Sequence, residues 1–143
     1  DVPLARARRG SCRMEPAAKD GKAAFTHFTR QQTFGHFCRL VAHPETGRQH
    51  QIRVHMQAIG YPPAVDFMYG RREELTGEEF ARIVGGQPQI PRSEVLIERC
   101  PLHAWKLRYT PPGDESPSEM TAPVPADLQD FLDYLEEFDP PQK

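Results

Sequence analysis

The chain has 143 residues, 38% of them hydrophobic and 27% charged, and this suits one globular domain with a core of its own. No apolar run approaches the ~20 residues that a membrane helix needs, and the amino terminus lacks the apolar segment of a signal peptide. Three scattered cysteines without a CxxC pair argue against a disulfide framework or a zinc site and favour a reducing compartment. We therefore expect a cytoplasmic protein with no membrane partner.

The net charge of −2 hides an uneven distribution along the chain. Residues 1–60 carry ten Lys or Arg and four Asp or Glu, hence +6, whereas residues 61–143 carry eight and sixteen, hence −8. Five of the six histidines also lie within residues 1–60. A basic half is typical of a protein that binds a polyanion, although charge blocks also occur on ordinary solvated surfaces.

The first elements in chain order are a basic segment and two strand-like runs. Residues 6–13, RARRGSCR, show no hydrophobic periodicity and form either a floppy arm or a strand or loop that contacts phosphate. Residues 24–28 and 37–42 are rich in aromatic and β-branched residues and alternate with period two. A polar link that contains Gly35 separates the two runs, so they predict an antiparallel hairpin.

Residues 46–59 have the pattern of an amphipathic helix. Thr46 is the expected N-cap and Gly60 the expected end of the helix. The stripe predicted to face the core consists of Ile52, Met56 and Ile59. A separate polar stripe, rich in hydrogen-bond donors, consists of His50, Arg53 and Gln57.

The carboxyl-terminal part predicts two more helices and a strand. Residues 74–86 form a short acidic helix that Gly85 ends, and residues 102–109 form a strand. Residues 126–138 form the longest helix, preceded by Pro125. Its apolar stripe consists of Leu128, Phe131, Leu132, Leu135 and Phe138. The order of elements predicts an α+β fold with a mixed or antiparallel sheet flanked by helices.

Several kinds of active site do not fit the sequence. His50 and His55 are five residues apart, roughly 140° around a helix, so they do not face one metal ion. The chain has no nucleophile elbow, no P-loop and no GxGxxG pattern. A donor-rich helix in a basic half, beside strands that carry phenylalanines, suits RNA, because cations bind phosphate and aromatic rings stack on unpaired bases.

A series of short motifs is more specific. The stretch TGRQHQIRVHMQAIGYPPAVDFMYG resembles the second signature of RluA-type RNA pseudouridine synthases, in which TGR-x-HQ-[IL]-RVH precedes a G-x-P turn and GD-x-x-YG. Upstream, DVPLARAR and DGKAAFTHF resemble the family's PL strand and GK-x-A-x-T segment. Downstream, CPLHAWKL and MTAPVPADLQDFL resemble its LLHA strand and its apolar–Pro–x-Asp ending. The matches follow the family's order along nearly the whole chain.

The chain also departs from the family pattern. The family's GD is Val65-Asp66 here, and Pro63 is an additional residue in the turn. The family's catalytic motif, RLD-x-x-TSG, does not occur, and neither Asp1 nor Asp66 matches it. The chain lacks an initiator Met as well. We therefore expect residues 1–143 to be the C-terminal portion of a pseudouridine synthase catalytic domain, without the N-terminal part that holds the catalytic Asp, and to be inactive alone.

The resemblance implies a function in RNA modification, namely the isomerisation of uridine to pseudouridine in ribosomal or transfer RNA. The target base would be flipped out of its stack. An Asp carboxylate would start cleavage of the C–N bond, and the free uracil would rotate and rejoin through carbon. The resemblance implies no cofactor and no metal, RNA as the partner, and we expect a monomer.

The resemblance also assigns roles to particular residues. Arg53 matches the family arginine that pairs with the catalytic Asp and keeps it ionised; the alternative is an ordinary exposed helix arginine. Leu102 matches a residue that packs against the base pocket, or else it is plain core, and we expect His103 to be a core histidine with satisfied hydrogen bonds. The residues expected to bind RNA or substrate are Arg48, His50, Gln51, Leu102, Arg6, Arg8 and Arg9.

Two alternatives remain open from the sequence. The chain is a complete but degenerate relative that binds RNA without catalysis, or it is an unrelated small α+β interaction domain. The reading frame upstream distinguishes the first alternative from a catalytic fragment, because a fragment requires RLD-x-x-TSG before Asp1.

Overall fold

The computed structural model of the chain describes residues 1–70, 72–86 and 89–141. It confirms the α+β class, and each described pair of strands is antiparallel. The elements in chain order are β1 Leu4–Arg6, β2 Met14–Pro16, β3 Thr26–Thr33, β4 Cys38–Pro44, α1 Gln51–Ala58, β5 Leu75–Thr76, α2 Gly77–Val84, β6 Val95–Ile97, β7 Lys106–Tyr109, β8 Ser118–Thr121 and α3 Ala126–Phe138. None of the described helices has the length and apolar character that a bilayer crossing requires.

The predicted hairpin is confirmed, although its strands extend further than the alternating runs. Strands β3 and β4 pair from Thr26 opposite Pro44 to Thr33 opposite Cys38, with a register shift between Arg30 and Gln32. Phe34 is buried at the tip, so the link that is predicted to be polar also contributes a side chain to the core.

The tip of this hairpin is fastened to the end of α3. The amide of Gly35 donates to the backbone oxygen of Asp139 at 2.8 Å. The buried Asp139 carboxylate accepts from the amide of His36 at 2.7 Å and lies 2.8 Å from its Nδ1 atom. A Cβ atom at position 35 would overlap this carboxylate, so the close approach requires glycine.

The larger core forms where the carboxyl-terminal helices meet β5 and β6. The prediction for α3 is confirmed in its bounds and in its apolar face, which buries Leu128, Phe131 and Leu135. The short acidic helix is also confirmed: Thr76 caps α2, and Gly85 ends it in the left-handed conformation. Buried members of this core are Phe34, Val65, Leu75, Phe80, Ile90, Leu96, Ile97, Leu128, Phe131 and Leu135.

A second, smaller core joins the amino terminus to α1. Its buried members are Leu4, Met14, Ala24, Val54 and Tyr69. The basic segment is therefore not a floppy arm, because Leu4 and Met14 anchor the paired strands β1 and β2 on either side of it. This core places the basic turn, the start of α1 and the loop around Tyr69 next to one another.

Helix α1 differs from the prediction at its start and on its buried face. It begins at Gln51, with His50 and not Thr46 as the N-cap residue, because the Thr46 hydroxyl is used by Gln51 Oε1 and by the Phe25 amide. The prediction of a core-facing stripe with Ile59 is wrong, since Ile59 is 51% exposed. The buried residues of α1 are Gln51, Val54 and His55.

The predicted strand at 102–109 is shorter than expected, because only Lys106–Tyr109 pairs, with β8. Arg99 Nη1 donates to the carbonyls of Cys100 and Leu102 at 3.4 and 3.2 Å, so the Leu102 carbonyl binds a side chain and not a neighbouring strand. This segment, β4 and α3 border an apolar groove of about 1100 Å³.

Candidate active site around Arg53

The centre of the site is an ion pair between α1 and the loop that follows it. Arg53 donates from Nε to Asp66 Oδ2 and from Nη2 to Asp66 Oδ1, each at 2.7 Å. The two side chains are 15% and 0% exposed. A two-point contact of this kind fixes the plane of the guanidinium as well as its distance, which a lysine ammonium could not do.

The loop of residues 66–70 holds the Asp66 carboxylate in place. Oδ1 accepts from the backbone amides of Met68 and Tyr69, both at 2.9 Å. The amide of Gly70 donates to the Asp66 carbonyl at 2.8 Å, and a side chain at position 70 would collide with that carbonyl. An Asp at the start of a tight turn with Gly at its end is an ordinary turn signal, so the local sequence explains this geometry.

The pKa of Asp66 is about 2, below its usual value of 3.8. Burial alone raises this pKa, but hydrogen bonds from Arg53, Tyr69 and Met68 outweigh burial. The Cys100 thiol lies 3.9 Å from Asp66 Oδ2, and burial together with the negative charge of Asp66 raises its pKa to about 11. The carboxylate is therefore charged and the thiol protonated at neutral pH.

The Tyr69 ring packs against the guanidinium of Arg53 and links the ion pair to the amino-terminal strands. The guanidinium carbon of Arg53 lies 4.9 Å from the centre of the Tyr69 ring, and that of Arg13 lies 5.4 Å from it. The Tyr69 hydroxyl accepts from the Met14 amide at 2.7 Å and lies 2.9 Å from His50 Nδ1. A buried phenol thus brings cationic side chains from α1 and the β1–β2 turn to one place.

His50 occupies an unusual backbone position. Its φ and ψ of 54° and 17° are left-handed, and it is the one described non-glycine residue with positive φ. Such conformations cost about 1–3 kcal/mol and occur often at functional sites. The pKa of His50 is lowered, mainly by burial and then by the charge of Arg53, although Asp66 opposes this. The ring is therefore neutral near pH 7, and a neutral Nδ1 can accept a hydrogen bond from the Tyr69 hydroxyl.

Gln51 and His55 are structural residues of α1. Gln51 Oε1 accepts from the Thr46 hydroxyl and the Arg48 amide, while its Nε2 donates to the Phe25 carbonyl and the Thr26 hydroxyl. His55 lies 2.9 Å from both Thr26 Oγ1 and the Val2 carbonyl. Since Gln51 is 4% exposed, it positions α1 against β3 in this structure.

The other residues that the sequence assigns to RNA or substrate lie farther out. Arg48 is exposed and donates from Nε to the Ala23 carbonyl at 3.0 Å. Leu102 is 37% exposed and borders the apolar groove, so it is not a core residue here. His103 is partly buried, and its Nε2 lies 3.4 Å from the Ala122 carbonyl. Arg6, Arg8 and Arg9 are exposed on the basic segment.

The sequence reasoning missed three members of the site. Asp66 is dismissed there as a substitute for the catalytic Asp and is given no other role, while Tyr69 and Arg13 are assigned no role beside Arg53. The VDFMYG stretch held a signal for Asp66 and Tyr69, because an acid and an aromatic residue follow the donor-rich helix there. The pairing of Arg53 with an Asp outside this chain stays a prediction, and the guanidinium already binds Asp66 within the chain.

Comparison with known proteins gives a consistent result. The chain is 37% identical over 137 residues to an uncharacterized RNA pseudouridine synthase of Chloroflexus aurantiacus, a match that covers 96% of this chain and 37% of the relative. It is 33% identical to the uncharacterized RNA pseudouridine synthase YlyB of Bacillus subtilis, covering 94% of this chain and 38% of the relative. It is 34% identical to ribosomal large subunit pseudouridine synthase D of Haemophilus ducreyi, covering 94% and 39%.

These similarities confirm the resemblance to the RluA-type RNA pseudouridine synthases that the motifs predict. No protein-family model matches the chain. The chain spans less than two fifths of the length of the relatives quoted. The alternative of an unrelated interaction domain is wrong, because the similarity covers nearly all of the chain.

The ion pair makes a prediction about stability and its pH dependence. Replacing Asp66 with Asn leaves a nearly buried guanidinium unpaired, which should lower the free energy of unfolding by about 3–5 kcal/mol at neutral pH. Because the pKa of Asp66 is depressed to about 2, the contribution of the pair is complete above pH ~4 and is lost as the pH falls toward 2. Urea denaturation across this range should show a flatter pH dependence for Asp66→Asn than for the wild type.

The control is Asp127→Asn. Asp127 binds Arg99 through the same two-point geometry, at 2.6 and 2.9 Å, but in a pair whose side chains are 40% and 46% exposed. Solvent screening should make its effect much smaller. Equal effects of the two substitutions would show that burial of the Arg53–Asp66 pair does not determine its contribution.

Proposed function

We propose that this chain forms part of the active site of an RNA pseudouridine synthase that isomerises uridine in ribosomal or transfer RNA. In this proposal the 143 residues are the C-terminal portion of the catalytic domain, and sequence outside them supplies the catalytic Asp. The observation that carries the proposal is the orientation of Arg53 by Asp66, because Arg53 lies within TGRQHQIRVH, the motif that resembles the family signature.

The role of Arg53 follows from its surroundings. A guanidinium remains charged at any pH that RNA tolerates, and Asp66 further raises its pKa. A carboxylate brought against it would stay ionised, because a nearby positive charge favours the charged form of an acid. An ionised carboxylate is what the start of C–N cleavage requires. Asp66 itself is fully buried, so we assign it no direct contact with a base.

RNA binding is assigned to the basic half of the chain. Arg6, Arg8 and Arg9 are exposed on and beside the β1–β2 turn, and this turn reaches the site through Arg13 and Met14. His50 has a neutral ring at the rim of the ion pair and would bind through hydrogen bonds. Arg48 and Leu102 would contact RNA from the loop before α1 and from the edge of the groove. Gln51 would act by holding α1 in place.

The remaining alternative is a degenerate relative that binds RNA without catalysis. It differs from the proposal in whether a catalytic carboxylate, in addition to Asp66, reaches Arg53. We also retain the expectation of a monomeric cytoplasmic protein. The free cysteines at positions 12, 38 and 100 accord with a reducing compartment.

A direct assay tests the proposed activity. The complete protein that contains this sequence should form pseudouridine in bulk ribosomal or transfer RNA, detected by mass spectrometry of RNA digests, whereas the 143-residue chain alone should form none. Pseudouridine formation by the 143-residue chain would require a catalytic carboxylate within it. Absence of activity in the complete protein on both RNA fractions would favour the non-catalytic alternative.

A second prediction separates chemistry from binding at Arg53. In the complete enzyme, Arg53→Lys should lower the single-turnover rate by about 10²-fold or more, because an ammonium cannot hold two carboxylates in fixed directions. RNA affinity should change little, since many other cations contact phosphate. The control is Arg39→Lys, on β4, which should retain the wild-type rate. Weakened binding with an unchanged rate would identify Arg53 as a phosphate contact.

A third prediction concerns the basic turn. Changing its four exposed arginines to glutamine should reduce the slope of log affinity against log salt by about 0.7–0.9 for each phosphate contact that is lost. The four positions are Arg6, Arg8, Arg9 and Arg13. Salt titrations of RNA binding measure this slope.

The matched control removes four exposed cations from the acidic half. These are Arg82, Arg92, Lys106 and Arg108. Replacing these four residues with glutamine should leave the slope of log affinity against log salt nearly unchanged. A slope that responds equally to both sets would show that binding depends on net charge and not on the β1–β2 turn.

A further inference from the structure

A guanidinium group has two edges that can each bind an anion through two hydrogen bonds. One edge consists of Nε and one terminal nitrogen, and the other consists of the two terminal nitrogens. Asp66 occupies the first edge of Arg53, through Nε and Nη2. Within residues 1–70, 72–86 and 89–141, Arg53 Nη1 forms no hydrogen bond, so its second edge is free among the described residues.

Arg99 is an arginine with a purely structural role, and its second edge differs from that of Arg53. It binds Asp127 through Nε and Nη2 in the same way, but its Nη1 donates to the carbonyls of Cys100 and Leu102. Both edges of Arg99 are therefore used within the chain. Arg53 has the same first contact and keeps its second edge available.

The surroundings of Arg53 restrict where that edge can point. The Tyr69 ring lies 4.9 Å from the guanidinium carbon and the Phe67 ring 5.7 Å from it. Two backbone amides hold Asp66, and the close packing of Gly70 holds the turn that carries it. The plane of the guanidinium is thus set by a rigid loop and not by the flexible arginine side chain itself.

We propose that Asp66 is a positioning residue: it fixes Arg53 by one edge so that the other edge is directed at the catalytic carboxylate. This inference rests on the proposed function. Asp66 offsets part of the charge of Arg53, so the arginine contributes direction in addition to its positive charge. The single-turnover rate should then depend on the distance from the Asp66 carboxylate to the guanidinium, even in a variant that keeps the negative charge.

The experiment measures the complete enzyme with Asp66→Glu and Asp66→Asn. Glutamate keeps the charge but moves the carboxylate by one methylene, and asparagine keeps an oxygen for the two backbone amides but loses the charge. Each should lower the single-turnover rate by about 10²-fold, as a displacement of about 1 Å does at catalytic groups. RNA affinity should stay within about threefold, since Asp66 does not touch RNA. Asp127→Asn, which breaks the same geometry elsewhere, should keep the wild-type rate.

A double-mutant cycle separates positioning from a general effect on the fold. In an Arg53→Lys background the planar group that Asp66 orients is gone, so Asp66→Glu should lower the rate by less than about threefold more. Melting curves confirm that each variant is folded. If Asp66→Asn does not fold, the Asp66→Glu variant and its double-mutant cycle with Arg53→Lys still test the positioning role.

The outcomes distinguish the inference from the proposed function. Near-normal rates for the Asp66 variants, equal losses of rate and affinity, or full additivity with Arg53→Lys would overturn the positioning role while the wild type remains active. A wild-type enzyme that forms no pseudouridine would overturn the proposed function itself. A loss of rate without loss of affinity, absent in the Arg53→Lys background, supports the inference.

Discussion

The Arg53–Asp66 ion pair is the contact on which the organisation of the site depends. It joins α1 to the 66–70 loop, and the loop in turn brings Tyr69 under the guanidinium. Breaking a pair this deeply buried leaves an uncompensated charge, so the pair makes the position of α1 and the position of the loop depend on each other. His50 and Arg13 then join the site through Tyr69.

The start of α1 shows how the rest of the chain adapts to that contact. Gln51 and His55 bind β3 and the segment before β1, which holds the helix in one rotation. In that rotation Val54 is fully buried. The chain enters the helix through the left-handed His50, a strained conformation that packing and hydrogen bonds must offset. The donor-rich sequence of α1 thus serves two purposes, since some donors hold the fold and Arg53 remains partly free.

The two hydrophobic cores stabilise different parts of the structure. The larger core packs α2 and α3 with β5 and β6 and carries most of the apolar burial, whereas the smaller core around Leu4 and Tyr69 supports the site. The groove along β4 and α3 stays open among the described residues, with Leu102 at its border. The basic part of the sequence, residues 1–60, supplies Arg53, His50 and Arg13 to the site, whereas the acidic part supplies Asp66 and Tyr69 together with α2 and α3 of the larger core.

Sequence alone determined the α+β class, the hairpin and the helices α2 and α3, because periodicity and caps are local signals, and a long motif marked Arg53 as a candidate site residue. It was wrong about the start and the buried face of α1, since Gln51 and His55 form hydrogen bonds with Thr26 on β3 and Thr46 accepts from the Phe25 amide, and these contacts override the apolar stripe. Only the tertiary structure paired Arg53 with Asp66, thirteen residues away, and placed Tyr69 between His50, Arg13 and Arg53. Such contacts depend on the direction in which side chains leave packed elements, which local propensity does not determine.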